Sequence, residues 1–193
     1  MSGRSNTEKI LLILDLDETL IHGTYTELDR QAEFMVGDIH VYKRPFLHEF
    51  LSGCAEYFTL AIWSSASDNY VREIAREIAI QDTDWAFVWG RSRATLPRRV
   101  DPNTGMSTFY SPDSVYEKPL SKVARKGWKL ERILIVDDTP QKARRNYGNA
   151  IYPKPFEGDL SDNELPKLLE YLKSLKDSKN VRRVEKRFWR SEL

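Results

Sequence analysis

The chain has one cysteine among its 193 residues, Cys54, so no intrachain disulfide can form and a reducing compartment is the natural setting. Cys54 lies in the helix-like stretch "FLHEFLSGCAEYF", where it reads as a small core residue rather than a nucleophile. No apolar run is long enough to cross a bilayer, and the one near the N-terminus is too brief for a secretory core. The expectation is a soluble, cytoplasmic protein, or a nuclear one in a cell with a nucleus, without a membrane partner. The net charge is only +1, which removes any global field drawing the chain to nucleic acid or anionic lipid. The three histidines, His22, His40 and His48, lack metal-ligand spacing. There is no internal repeat and no low-complexity segment. The length suits one domain, residues 1–193, with a real core. Nothing in the sequence sets an oligomeric state.

What is present begins with "ILLILDLDETLIHG". An uninterrupted apolar run, Ile10 to Leu14, stops at Asp15, and Asp17, Glu18 and Thr19 follow at once. A continuous run of this kind predicts a strand buried on both faces, hence a parallel sheet. Two more runs, "FTLAIWSSAS" and "RILIVDD", also end in hydroxyl or acidic residues. Helical patterns separate them. "DNYVREIAREIA" places Val71, Ile74, Ala75 and Ile78 on one face. "TPQKARRNYG" has Pro140 for a first turn and Gly148 for an end. "SDNELPKLLEYLKSLK" opens with a capping-box pattern from Ser161 to Glu164, and "NAIYP" reads as a short strand.

The alternation predicts an α/β fold of Rossmann-like type, a central parallel sheet with helices on both faces. Ligands bind such sheets at the carboxyl ends of their strands. Asp15, Ser64 and Asp137 fall at three of those ends. Residues about 22–44 read as a small hairpin flap, and about 81–117, with "WAFVWG" and the basic "RSRATLPRR", as a short β-type insertion beside the site. Trp85 and Trp89 in that insertion are core residues by default, with a place facing substrate as the alternative. The basic tail, about 179–193, reads as a solvated helix or frayed end, or else as a docking patch for an anion.

The segments "DLDETLIH", "VYKRPFLHEFL", "IWSSASDNYV", "VYEKPLSKV", "ILIVDDTP" and "GDLSDNELPKLLEYL" occur in the order of the haloacid dehalogenase superfamily. Over roughly residues 10–180 the chain resembles its small C-terminal-domain phosphatase branch, the FCP/SCP-like or NIF-like phosphatase domain, which lacks a large cap. The resemblance implies a phosphatase, a phosphoric monoester hydrolase that works through an aspartyl-phosphate. It makes Asp15 the nucleophile, Asp17 the general acid and base, and Lys118 the fixed charge at the phosphate. It puts Ser64, with Ser65 beside it, on the transferring group, and has Thr19 orient the loop. Ser65 and Ser67 also read as caps of the following helix. An inserted arginine is expected near the phosphate; Arg91 or Arg93 fits, with Arg91 preferred. Mg²⁺ is the implied cofactor, held by Asp15, the backbone carbonyl of Asp17, Asp138, and Asp137 directly or through water. Asp138 stands where relatives often carry Asn.

These residue types suit the chemistry. A phosphate monoester is a dianion, and a carboxylate attacking it is repelled unless a divalent cation and a lysine cancel charge. Oxygen ligands suit Mg²⁺. Asp17 must be protonated to serve the leaving oxygen, and nearby acids raise its pKa, so an acidic to near-neutral optimum is expected. The resemblance further implies phosphoserine or phosphothreonine in a protein or peptide as substrate, with Tyr25 and Tyr70 as a wall of an open cleft. The alternatives are a small phosphomonoester, a nucleic-acid phosphate end suited to the basic segments, or a catalytically weak phosphopeptide-binding module. Lys43 and Arg44 read as structural.

Overall fold

The computed structural model describes residues 9–81, 84–97, 99–100, 107–108 and 115–191. The chain runs β1 (Ile10–Leu14), β2 (Ile21–Thr24), β3 (Phe34–Val36), β4 (Ile39–Lys43), α1 (Leu47–Tyr57), β5 (Phe58–Trp63) and α2 (Asp68–Glu77). It continues with β6 (Val88–Trp89), β7 (Arg99–Val100), β8 (Ser107–Thr108), α3 (Ser121–Ala124), β9 (Ile133–Val136), β10 (Ala150–Ile151) and α4 (Glu164–Leu175).

Five strands form one parallel sheet in the order β10-β9-β1-β5-β6. β1 is central, with Leu12 opposite Leu60 on one side and Leu134 on the other. Its side chains divide by parity. Ile10, Leu12 and Leu14 join a core with Phe50, Val71 and Leu168, from α1, α2 and α4. Leu11 and Ile13 join Leu120, Val123 and Ala143 on the opposite face. Both cores need apolar partners from β1, which is why the run cannot alternate with polar residues. Each of these five fully buried side chains contributes up to about 1.5–3 kcal/mol relative to exposure.

The flap is a three-stranded antiparallel sheet, β2-β4-β3, one strand more than a hairpin. Gly37, at φ 58°, makes the tight β3–β4 turn, a left-handed conformation that favours glycine. "WAFVWG" does not belong to an insertion. β6 pairs parallel to β5 and supplies the edge strand of the main sheet, through Ile62–Val88 and Trp63–Trp89. Trp89 stacks on Phe87 and meets Trp63 edge-on, and Trp85 donates to the Ala75 carbonyl, so both tryptophans are packing residues. Of the remaining insertion, β7 and β8 pair antiparallel; Arg98 and most of "STFYSPDSVY" lie outside the described residues.

Three local expectations change. Residues Pro140–Asn149 form tight 3-10 turns kinked at Asn146 (φ −137°), not a regular helix. The Asn146 side chain accepts from Leu120 N–H, a tertiary bond that competes with helical geometry. The Ser161–Glu164 capping box does not form. Ser161 bonds Asp159, Asp162 accepts from Glu164 N–H, and the Glu164 carboxylate turns to Lys154 N–H and Arg190. The tail neither frays nor runs free through Ser191. Trp189 is buried and donates to the Tyr152 carbonyl, and Lys186 donates to the carbonyls of Val181 and Val184.

Candidate active site

The carboxyl ends of β1, β5 and β9 lie side by side, so the residues that follow them share one edge. Asp15 leaves β1 with its N–H bonded to the Val136 carbonyl of β9, and Asp137 leaves β9 with its N–H on Ile151 of β10. The main-chain ladder therefore carries both carboxylates to the same depth. Both are fully buried.

Two ammonium groups meet them. Lys118 Nζ lies 2.8 Å from Asp15 Oδ2 and 2.7 Å from Asp137 Oδ2. Lys142 Nζ lies 2.8 Å from Asp15 Oδ2, 3.5 Å from Asp137 Oδ1 and 3.7 Å from Asp138 Oδ1. Burial works to raise the Asp15 pKa, but these two charges outweigh it and hold the carboxyl down at about 2. Asp15 is thus an anion throughout the physiological range. For Asp137 the balance reverses: burial and the Asp15 charge push it up to about 7 against the pull of the lysines. Burial also opposes the charge on Lys142, yet Asp15 and Asp137 raise its pKa and keep it protonated.

Asp17 stands two residues beyond Asp15 and is only partly covered. Ser64 Oγ donates to its Oδ2 at 3.3 Å and the Tyr70 hydroxyl to its Oδ1 at 2.8 Å. Burial, then the Asp15 charge, raise its pKa, while the Tyr70 bond works the other way. Burial and the Asp17 charge in turn keep the Tyr70 phenol protonated and donating. Gly23 of the flap makes room for this contact, since a Cβ there would sit 2.6 Å from the Tyr70 hydroxyl. The two acids of "DLDET" are thereby driven apart, one toward permanent ionisation and one toward holding a proton, the division of labour that acid–base pairs need.

The remaining expected residues separate by distance from this pair. Thr19 is buried, with its hydroxyl donating to Asp138 Oδ1 at 3.3 Å and accepting from Asp138 N–H at 3.2 Å. It ties the β1 loop to the β9 loop. Ser64 is buried, and its hydroxyl also accepts from Ala66 N–H. Neither Ser65 nor Ser67 forms a side-chain cap on α2: Ser67 stands at the cap position without such a bond. Arg91 Nε donates to the Ser65 carbonyl at 2.8 Å, which brings that arginine to the rim beside Ser64. Arg93 instead lies over the Trp89 ring. Tyr25 is exposed on the flap side, and the Tyr70 hydroxyl reaches Asp17. Cys54 is buried, and burial pushes its thiol far up, so it stays inert. Among the described residues no helix is long and apolar enough to cross a membrane.

One residue of the site escaped the sequence reading. Lys142 carries no motif signal beyond its place four residues after Asp138. Arg44, expected to be structural, is fully buried and forks onto Asp162, with further bonds to the Thr19 and Lys154 carbonyls. It braces the acidic loop from behind.

Asp15, Asp137 and Asp138 each bring a carboxylate oxygen within 4.8 Å of one another. The donors are all hard oxygens, without His or Cys, and an ammonium already touches all three. That set fits a divalent cation of the Mg²⁺ type.

The fold is that of the haloacid dehalogenase-type phosphatases. The chain belongs to the NLI interacting factor-like phosphatase family, whose model matches residues 10–182. It is 28% identical over 177 residues to the human carboxy-terminal domain RNA polymerase II polypeptide A small phosphatase 1, covering 88% of this chain and 60% of that protein. It is also 28% identical to Phosphatase PSR1 of Saccharomyces cerevisiae, covering 89% of this chain and 37% of that one. Among solved structures, Fcp1, an essential RNA polymerase II CTD phosphatase, superposes with a TM-score of 0.54 at 17% identity, over 92% of this chain and 59% of that one. A fission yeast Fcp1 bound to beryllium fluoride gives 0.52, also at 17% identity, over 90% of this chain and 53% of that one. The chain thus spans about 60% or less of the length of these relatives.

Proposed function

We propose that the chain is a Mg²⁺-dependent phosphomonoester hydrolase acting through an aspartyl-phosphate on phosphoserine or phosphothreonine in protein segments. The observation that carries the reading is the arrangement at the end of one central strand, with Asp15 paired to the Lys118 ammonium and Asp17, two residues on, bonded by the Ser64 and Tyr70 hydroxyls. An Asp15 oxygen forms a bond to phosphorus as the bond to the leaving oxygen breaks, and Asp17 gives that oxygen its proton. Asp17, now ionised, takes a proton from the water whose oxygen bonds to phosphorus as the phosphorus–Asp15 oxygen bond breaks, so that inorganic phosphate leaves and the Asp15 carboxylate is regenerated. Lys118 holds Asp15 in place and supplies a fixed charge beside the transferring group. Asp15, Asp137 and Asp138, with the Asp17 backbone carbonyl, would hold the metal. Mg²⁺ in that place supplies the charge that lets a carboxylate approach a dianion.

The protein substrate is supported by Tyr25, which follows β2 of the flap and exposes its ring to solvent, where a passing segment could pack on it. The names of the related phosphatases point the same way.

The test is phosphate release from p-nitrophenyl phosphate and from a neutral phosphoserine peptide, with and without Mg²⁺. Asp15→Asn should reduce turnover by about three orders of magnitude or more while leaving the melting curve cooperative. Metal-independent turnover, or an Asp15→Asn variant as fast as wild type, would refute the mechanism. Preference for a nucleic-acid end, with activity falling steeply with salt, would redirect the substrate.

A further inference from the structure

Lys142 is the feature this reading leaves without a role. Its ammonium stands among the three carboxylates that would take the metal, 2.8, 3.5 and 3.7 Å from one oxygen each of Asp15, Asp137 and Asp138. Lys118 reaches two of the same acids from within and is fully buried, whereas the Lys142 side chain keeps 14% of its surface open to solvent. The Lys142 backbone is fixed. Its N–H donates to the Thr139 carbonyl at 3.0 Å, and its own carbonyl accepts from Lys118 N–H at 2.7 Å. The anchor is rigid, and the four-carbon stem above it has a path outward.

An ammonium lying among the same three carboxylates repels a divalent ion that enters between them. Without any cation the three carboxylates would repel one another across less than 4.8 Å. We propose that Lys142 is the displaceable resident cation of the metal cradle. It gathers and neutralises the acids while no divalent ion is bound, and its ammonium withdraws when the ion enters. The ion must displace it, so Lys142 weakens the ion's affinity. The fold is then kept intact in the metal-free protein, and occupancy follows the free ion concentration. This rests on the metal-dependent reading above, and the test separates the two.

Mn²⁺ is titrated into the full chain, with free ion read by electron paramagnetic resonance, for wild type, Lys142→Met, Lys142→Gln and Lys142→Arg. The two neutral variants should bind Mn²⁺ about tenfold more tightly and should melt lower than wild type without metal. Lys142→Arg should stay near wild type. Equal or weaker binding in the neutral variants would overturn the proposal while leaving metal dependence intact. No Mn²⁺ binding in wild type or variants would overturn the metal reading and this proposal together. Should the neutral variants fail to fold, acylation of Lys142 in wild type, mapped by mass spectrometry, decides the matter. Labelling should rise when Mg²⁺ is added, and labelling that stays level or falls would overturn the displacement.

Discussion

Replacing Tyr70 by Phe removes one hydroxyl and, with it, the 2.8 Å bond that favours ionised Asp17. A hydrogen bond to a charged acceptor is worth about 1.5–3 kcal/mol, and one pKa unit corresponds to about 1.4 kcal/mol. Full loss would therefore raise the Asp17 pKa by about one to two units. Asp17 is partly exposed and keeps its bond from Ser64, so water recovers part of the loss and the shift should lie near one unit. The sign is definite: a bond to the ionised form lowers a pKa, so its removal raises it. Because Asp17 must carry a proton into the first step, the alkaline limb of kcat against pH should move upward by about that amount. The assay is p-nitrophenyl phosphate turnover from pH 4.5 to 9 at saturating Mg²⁺ and constant ionic strength, beside a melting curve for each protein. An alkaline limb that stays in place, or moves down, in a folded Tyr70→Phe protein would refute the assignment of Asp17 as the acid.

Other expectations follow from the same geometry. Gly23→Ala places a Cβ 2.6 Å from the Tyr70 hydroxyl, so it should displace that ring and move the pH profile in the same direction as Tyr70→Phe; identical profiles for wild type and Gly23→Ala would show that the contact is not made. Arg44→Met leaves Asp162 and the Thr19 and Lys154 carbonyls without their buried partner; urea unfolding should show a loss of about 3–5 kcal/mol, and a loss below 1 kcal/mol would refute it. In metal-free protein, Asp137 has a folded pKa raised from 3.8 to about 7, so its contribution is fully present below the unfolded value and is lost as pH rises toward 7. Asp15 acts oppositely, its contribution being present above 3.8 and lost as pH falls toward 2. The melting temperature without metal should thus decline on both sides of about pH 4, and the stabilisation on adding Mg²⁺ should grow toward pH 7; a metal-free curve that climbs steadily to neutrality would contradict the Asp137 assignment.

The acids of the site were legible because their signal is local. Asp15 and Asp137 each end an apolar run, with Asp17 and Asp138 just after them, and a run buried on both faces implies a parallel sheet whose strand ends converge. Lys118 was legible only through its resemblance to a family segment. The place of β6 in the main sheet was not legible because two residues are too short to show which sheet they join; only pairing with β5 decides it. The tail was misread because its charge suggested solvent, whereas Trp189 and Val181 are buried and the Lys186 ammonium is satisfied by carbonyls. The bond from Tyr70 to Asp17 was not legible, because spacing along α2 does not say what a phenol meets across the cleft.

The amino-acid sequence by itself determined the α/β class, the burial of Ile10–Leu14 on both faces and the carboxylates that leave the sheet, since hydrophobic period and strand-end chemistry are properties of neighbours in the chain. Only the tertiary structure decided how those carboxylates differ. Asp15 is driven down by Lys118 and Lys142, which lie more than a hundred residues away, and Asp17 is driven up by burial and by Asp15 itself. Ionisation is set by distance and dielectric, and neither exists until the chain has folded.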